Sequence, residues 1–82
     1  MKPLEKELQN LKTWDEVQQT TFPEYYQGYP KIITAGHGYL AVRKGDMNYA
    51  TATHYATFMG EKACYLEEDC EAPAFIEDIS KI

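Results

Sequence analysis

At 82 residues the chain has room for one hydrophobic core and no second lobe, and a domain of this size buries only about 60–65 % of the surface its unfolded chain exposes. Apolar residues make up 44 % and charged residues 26 %, which excludes a disordered composition, and no apolar run reaches the roughly 18 residues that a membrane span needs. The formal charge of −5 belongs to the second half: residues 1–44 carry six Lys/Arg against five Asp/Glu, and residues 45–82 carry two against eight.

A field of that sign opposes direct binding to DNA or RNA phosphates and suits a protein partner with a basic surface. The opening Met-Lys-Pro-Leu-Glu-Lys has no apolar stretch of the signal-peptide type, so a cytoplasmic location is expected. Cys64 and Cys70 form no Cys-x-x-Cys pair and the chain has only two histidines, a pattern of neither a zinc ribbon nor a disulfide framework. No cofactor and no metal are therefore expected. Cys64 lies in an apolar run and reads as a core thiol, whereas Cys70 stands among carboxylates that raise a thiol pKa.

In chain order, Pro3 to Lys12 places Leu4, Leu8 and Leu11 on one helix face, with Glu5, Lys6, Glu7 and Lys12 turned to water. Thr13-Trp-Asp-Glu16 matches a capping box. It either starts a short helix through about Gln19, with Trp14 and Val17 on its apolar side, or marks a break between two helices. Thr20 to Pro30 has no sustained period and holds Phe22, Tyr25, Tyr26 and Tyr29 among prolines and a glycine. Those aromatics either cap the core or form a contact surface, and only Lys31 is near enough to hold a phosphate beside them.

Lys31–Ala35 and Tyr39–Arg43 are apolar runs on either side of Gly36-His-Gly38, which reads as a β-hairpin whose glycines allow positive φ next to His37. Asp46 is a suitable N-cap for a helix from Met47 to about Met59, with Gly60 just past its end. A third strand follows from Ala63 to Leu66. Asp69 then caps a last helix, with Ala72 or Pro73 in its first turn and Phe75, Ile76 and Ile79 on its inner face.

The expected fold class is α+β, in the order α, loop, β, β, α, β, α. One domain spans residues 1–82, with a helical and irregular segment over 1–30 and a ββαβα core over 31–82. A hairpin followed by a helical crossover into a third strand implies a small three-stranded mixed sheet with helices over one face. So small a core is one that homodimerisation would help to complete.

Two runs in this core, Thr34-Ala-Gly-His-Gly38 and Tyr65-Leu-Glu-Glu-Asp-Cys-Glu71, resemble a small domain of unknown function found in phage, prophage and plasmid proteins. That domain has a Thr-x-x-His-Gly segment and, downstream, a Tyr-Glu-Glu-Asp-Cys-Glu/Asp segment before an apolar helix. The matching positions are Thr34, His37, Gly38, Tyr65, Glu67, Glu68, Asp69, Cys70 and Glu71, and the resemblance covers roughly residues 34–76. This chain departs from the pattern by inserting Leu66 and by placing Ala72-Pro73 where a bulky aromatic often follows. The resemblance implies a phage-encoded role, which includes blocking a component of host defence in the host cytosol.

Three readings follow for the candidate residues. In the first, the chain is a binding module or inhibitor, of an anti-CRISPR or anti-restriction kind or directed at a nucleic-acid-binding component. Glu67, Glu68, Asp69 and Glu71 then imitate phosphates in a basic groove, and Tyr25, Tyr26 and Tyr29 act as aromatic anchors. In the second, His37 with Glu67, Glu68, Asp69 and Cys70 forms a small metal- or thiol-dependent active site. In the third, His37 and Gly38 are structural, and the imidazole hydrogen-bonds to the Glu67–Asp69 segment and locks the hairpin to the last helix. No phosphate-binding loop, Gly-x-Ser-x-Gly elbow or His-Glu-x-x-His motif occurs in the chain.

Overall fold

The computed structural model describes residues 2–81, and the fold is α+β. Among these residues, helices α1 (Pro3–Leu11), α2 (Tyr49–Thr53) and α3 (Glu71–Ser80) accompany five strands. The strands are β1 (Val17–Thr21), β2 (Lys31–Thr34), β3 (Gly38–Arg43), β4 (Phe58–Met59) and β5 (Ala63–Glu67). They lie in the order β1-β2-β3-β5-β4, and every neighbouring pair is antiparallel. The sheet is therefore wider than the three strands expected and contains no parallel pair.

Two local events account for the difference. The Thr13–Glu16 segment starts no helix. The Asp15 N–H closes a turn on the Lys12 carbonyl at 3.3 Å, and Val-Gln-Gln-Thr-Thr then runs as β1, its β-branched residues prevailing over the capping pattern. A bulge between Val17 and Gln19 adjusts its register on β2. The second event follows Asn48, where α2 is only Tyr49–Thr53 instead of a helix from Met47 to Met59. β-Branched and aromatic residues follow it, and the chain reaches β4, reverses through Gly60 with a 2.8 Å bond from the Gly60 N–H to the Ala63 carbonyl, and returns as β5. A strand that returns through a hairpin runs antiparallel to its partner.

The expected hairpin of β2 and β3 is present, closed by a 2.8 Å bond from the Thr34 N–H to the His37 carbonyl. Neither Gly36 nor Gly38 has positive φ. The left-handed residues are Gln27 at 55° and Gly28 at 93°, which turn the chain from a 3-10 turn over Glu24–Tyr26 into β2. The last helix begins after Cys70, one residue later than a cap at Asp69 implies.

Helices cover both faces of the sheet, not one. β3 and β5 are apolar at every buried position, so each strand feeds two cores. Tyr39, Ala41, Ala63 and Tyr65 pack with Leu4 and Leu8 of α1, together with Val17 and Ile32. Leu40, Val42, Cys64 and Leu66 pack with Ala52, Ala72 and Phe75 of α2 and α3, together with Tyr26. The pairing of Tyr39 with Glu67 and of Arg43 with Ala63 sets the two ends of the sheet apart. The His37 turn and the acidic segment share one end. Arg43, Lys44 and Lys62 share the other, where the Lys44 N–H donates to the Lys62 carbonyl at 3.0 Å.

Candidate functional site

The tyrosine-rich loop and the acidic segment, far apart in sequence, meet through Lys31. Its Nζ lies 5.8 Å from the centre of the Tyr26 ring and 3.4 Å from Glu68 Oε2. Tyr26 is buried and meets the Tyr25 ring edge-on, with centroids 4.7 Å apart. Its hydroxyl is buried without a hydrogen-bond partner among the described residues. Burial, with Tyr25 and the Glu68 charge adding to it, pushes that hydroxyl's pKa well above the ordinary tyrosine value. Tyr29 is half-buried against the core: its hydroxyl donates to Asp46 Oδ1 at 2.7 Å and accepts from Asn48 Nδ2 at 2.9 Å, and its ring rests on Phe75. Of the three tyrosines only Tyr25 is exposed, at 61 %.

The carboxylates divide in the same way. The Glu68 N–H donates to the Gly38 carbonyl at 3.0 Å, and the Glu68–Lys31 ion pair passes directly over Gly38. A Cβ on that glycine would overlap the Glu68 carboxylate and come within 2.7 Å of Lys31 Cε. Glu71 is structural, since it accepts the Glu67 N–H at 2.8 Å and the Thr57 hydroxyl. Glu67 and Asp69 remain at least partly exposed, and neither carboxylate enters an ion pair among the described residues. Glu24, on the exposed turn that carries Tyr25, adds to them.

His37 is exposed, and its imidazole makes no hydrogen bond among the described residues; the ring lies edge-on to Tyr39 at 6.4 Å. The expected bond from the imidazole to the Glu67–Asp69 segment is absent there. The hairpin is tied to that segment by main chain and by Lys31 instead. Among the described residues no three His, Cys, Asp or Glu side chains come together as a metal site. Cys70 is exposed at the start of α3, whereas burial pushes the Cys64 thiol up to about 11.

No protein-family model, no curated protein and no solved structure matches this chain.

The densest polar cluster is one that the sequence reading turned to water. Lys12 is only 1 % exposed, and its Nζ touches the Tyr39 hydroxyl at 2.9 Å and Asp15 Oδ2 at 3.2 Å. Three rings surround it, Trp14 at 4.7 Å, Tyr39 at 4.8 Å and Phe58 at 5.6 Å from their centroids. Asp15 in turn accepts the Thr34 hydroxyl at 2.6 Å and the Gly36 N–H at 3.0 Å. Gln9 clasps the turn, its amide donating to the Lys12 carbonyl at 3.0 Å and its Oε1 accepting the Val17 N–H at 2.6 Å.

Burial opposes the Lys12 charge, but the Tyr39 hydroxyl and Asp15 outweigh it and raise the ammonium pKa. The Thr34 hydroxyl leads the contacts that hold Asp15 below the usual carboxylate range, ahead of the opposing effect of burial, the Gly36 N–H and Lys12. The cluster therefore holds a fixed ion pair, sealed from substrate, and its chemistry is that of a lock between α1 and the hairpin. The signal for it was in the spacing: Leu4, Leu8 and Lys12 follow each other at i, i+4, i+8, which puts the lysine on the buried stripe.

Proposed function

We propose that the protein acts by binding another protein that has a basic surface, in the manner of a small phage-encoded inhibitor of a host-defence or nucleic-acid-binding component. The observation that carries this reading is the junction at Lys31, which sets the exposed Tyr25 ring beside Tyr26 and brings Tyr26 to the Glu68 segment. An exposed aromatic next to carboxylates is the composition of an anchor with a charged rim, where the ring supplies contact area and the charges steer encounter. Glu24 and Asp69 supply that rim, while Glu67, paired with Tyr39 and two residues on from Tyr65, belongs to the α1 face of the sheet. Within this reading the protein works in the cytosol of the host cell, and its acidic side takes the place of nucleic-acid phosphates on the partner.

The test is affinity capture of the tagged protein from host lysate at low and at about 0.5 M salt, repeated with Tyr25→Ala and with the double variant Glu24→Gln, Asp69→Asn. The reading expects one basic partner, retained at low salt, released at high salt and lost with either variant. Capture that is indifferent to salt and to both variants would sink it, as would the absence of any retained partner.

A further inference from the structure

At the end of the sheet remote from His37 the surface is concave. The start of α1 and parts of β1, β2 and β3 enclose a cavity of about 360 Å³, whose lining includes Lys2, Leu4, Phe22, Pro30, Ile32 and Arg43. An adjoining depression of about 330 Å³ shares Gly28, Pro30 and Arg43 with it. Leu4 and Ile32 are core residues held by α1 and the sheet, so this wall is rigid, and Phe22 stands 64 % exposed on the rim. Pro30 has no N–H to offer. A preformed apolar hollow with few polar groups is the usual form of a small-molecule site.

Its charges balance, Lys2 and Arg43 against Glu5 and Asp46, whereas the whole chain carries −5. Arg43 is exposed, and its guanidinium enters no ion pair or hydrogen bond among the described residues. The two carboxylates in the lining are already held from within. Glu5 accepts the Thr20 hydroxyl and the Lys2 N–H, and one oxygen of Asp46 accepts the Tyr29 hydroxyl and the Asn48 N–H. Arg43 is thus the charge left for an occupant, and Lys44 follows directly in the chain.

We propose that this cavity binds a small amphipathic carboxylate, its apolar tail against Leu4, Phe22 and Ile32 and its carboxylate on the Arg43 guanidinium. The planar fork of an arginine matches a carboxylate in two hydrogen bonds, and apolar walls favour the tail. This site lies away from the Tyr25 face and is independent of the reading given for it.

The experiment is an NMR titration of the full chain with octanoate, with octanol as its uncharged counterpart, read on backbone amides. Octanoate is expected to perturb Phe22, Ile32 and Arg43, octanol to act at the same residues about tenfold more weakly, and Arg43→Gln to bring octanoate down to the octanol level. Phe22→Ala is expected to weaken both ligands, and both variants should keep the wild-type spectrum elsewhere. Equal binding of octanol and octanoate, unchanged octanoate affinity in Arg43→Gln, or perturbation scattered away from these residues would each overturn the assignment. So would an acidic, apolar peptide that perturbs these amides where octanoate does not, which would give the groove to a protein partner.

Discussion

The Glu7 carboxylate of α1 accepts a 2.7 Å hydrogen bond from the Tyr65 hydroxyl of β5, and it also takes the Lys62 and Ala63 N–H groups at 2.9 and 3.2 Å. One side chain therefore docks the first helix on β5, the strand between β3 and the edge strand β4. Burial opposes the Glu7 charge, but the Tyr65 hydroxyl and the backbone donors outweigh it and hold its pKa below the ordinary value. A lowered folded-state pKa gives stability that is present above the unfolded value of about 4.3 and is lost as pH falls through the folded one. Glu7→Gln should be less stable than wild type by about 1 kcal/mol at neutral pH. Urea midpoints measured against pH should show that gap closing below roughly pH 4. A gap independent of pH would show that the charge has no part in it.

The same carboxylate makes Gly60 more demanding than Gly38. A Cβ at Gly60 would meet Glu7 Oε2 at 2.9 Å and overlap the rest of the carboxylate, which is pinned by the three donors above. A Cβ at Gly38 would displace only the Glu68–Lys31 pair, whose ends are partly exposed and free to swing. Gly60→Ala should therefore lower stability by about 1–3 kcal/mol and Gly38→Ala by less than about 1 kcal/mol. Thermal melts followed by circular dichroism decide it, and the reverse order would contradict the packing described.

Much of this was legible in the sequence. The β2–β3 hairpin, the strand at Ala63 and the apolar faces of α1 and α3 all follow from local period and composition, whereas Thr20–Pro30, without a period, left Tyr26 and Tyr29 open between core and contact surface. What local pattern could not carry was pairing. Nothing in Val17–Thr21 alone says that it will lie beside β2, and a capping pattern just before it points to helix instead. Nothing in Phe58-Met59 distinguishes a two-residue edge strand from the tail of a helix. The meeting of Tyr26, Lys31 and Glu68 depends on that sheet order, so the candidate site could be named by its residues but not assembled. Lys12 was missed for another reason: a charged residue was given to solvent by type, although its spacing from Leu4 and Leu8 placed it inside.

The lone Tyr26 hydroxyl gives a prediction of unusual sign. It is buried with no partner among the described residues, so the folded state holds a desolvated donor that water satisfies in the unfolded chain. Tyr26→Phe removes the hydroxyl and keeps the ring against Leu40, Leu66 and Phe75. The variant should be as stable as wild type or more so, by up to about 1 kcal/mol, as expected when an unsatisfied polar group becomes apolar at constant shape. Chemical denaturation of the two proteins is the measurement, and a clear loss of stability would mean that the hydroxyl does have a partner in solution.

The Lys12–Asp15 pair separates the two partners sharply. Asp15→Ala leaves an ammonium buried among Trp14, Tyr39 and Phe58 without its carboxylate, and it strips the Thr34 hydroxyl and the Gly36 N–H of their acceptor. Each single variant strands one charge of the buried pair, but the Asp15 carboxylate then still has the Thr34 and Gly36 donors, whereas the stranded ammonium keeps only the Tyr39 hydroxyl as a hydrogen-bond partner. Asp15→Ala should thus lower the melting temperature by more than about 10 °C, whereas Lys12→Met, which keeps both donors on Asp15, should lower it by only about half as much or less. Adding Lys12→Met to Asp15→Ala should recover part of the loss, because the unpaired charge is then gone. The raised Lys12 pKa contributes stability that is full below its unfolded value of about 10.4 and fades as pH rises through the folded one, and Asp15 contributes from above about 3.9 and fades as pH falls. Wild type should therefore show a stability plateau between those limits, with Trp14, the chain's one tryptophan, reporting the Lys12 contact by its fluorescence. Equal losses from the two single variants, with no recovery in the double, would mean that the ion pair acts only through packing.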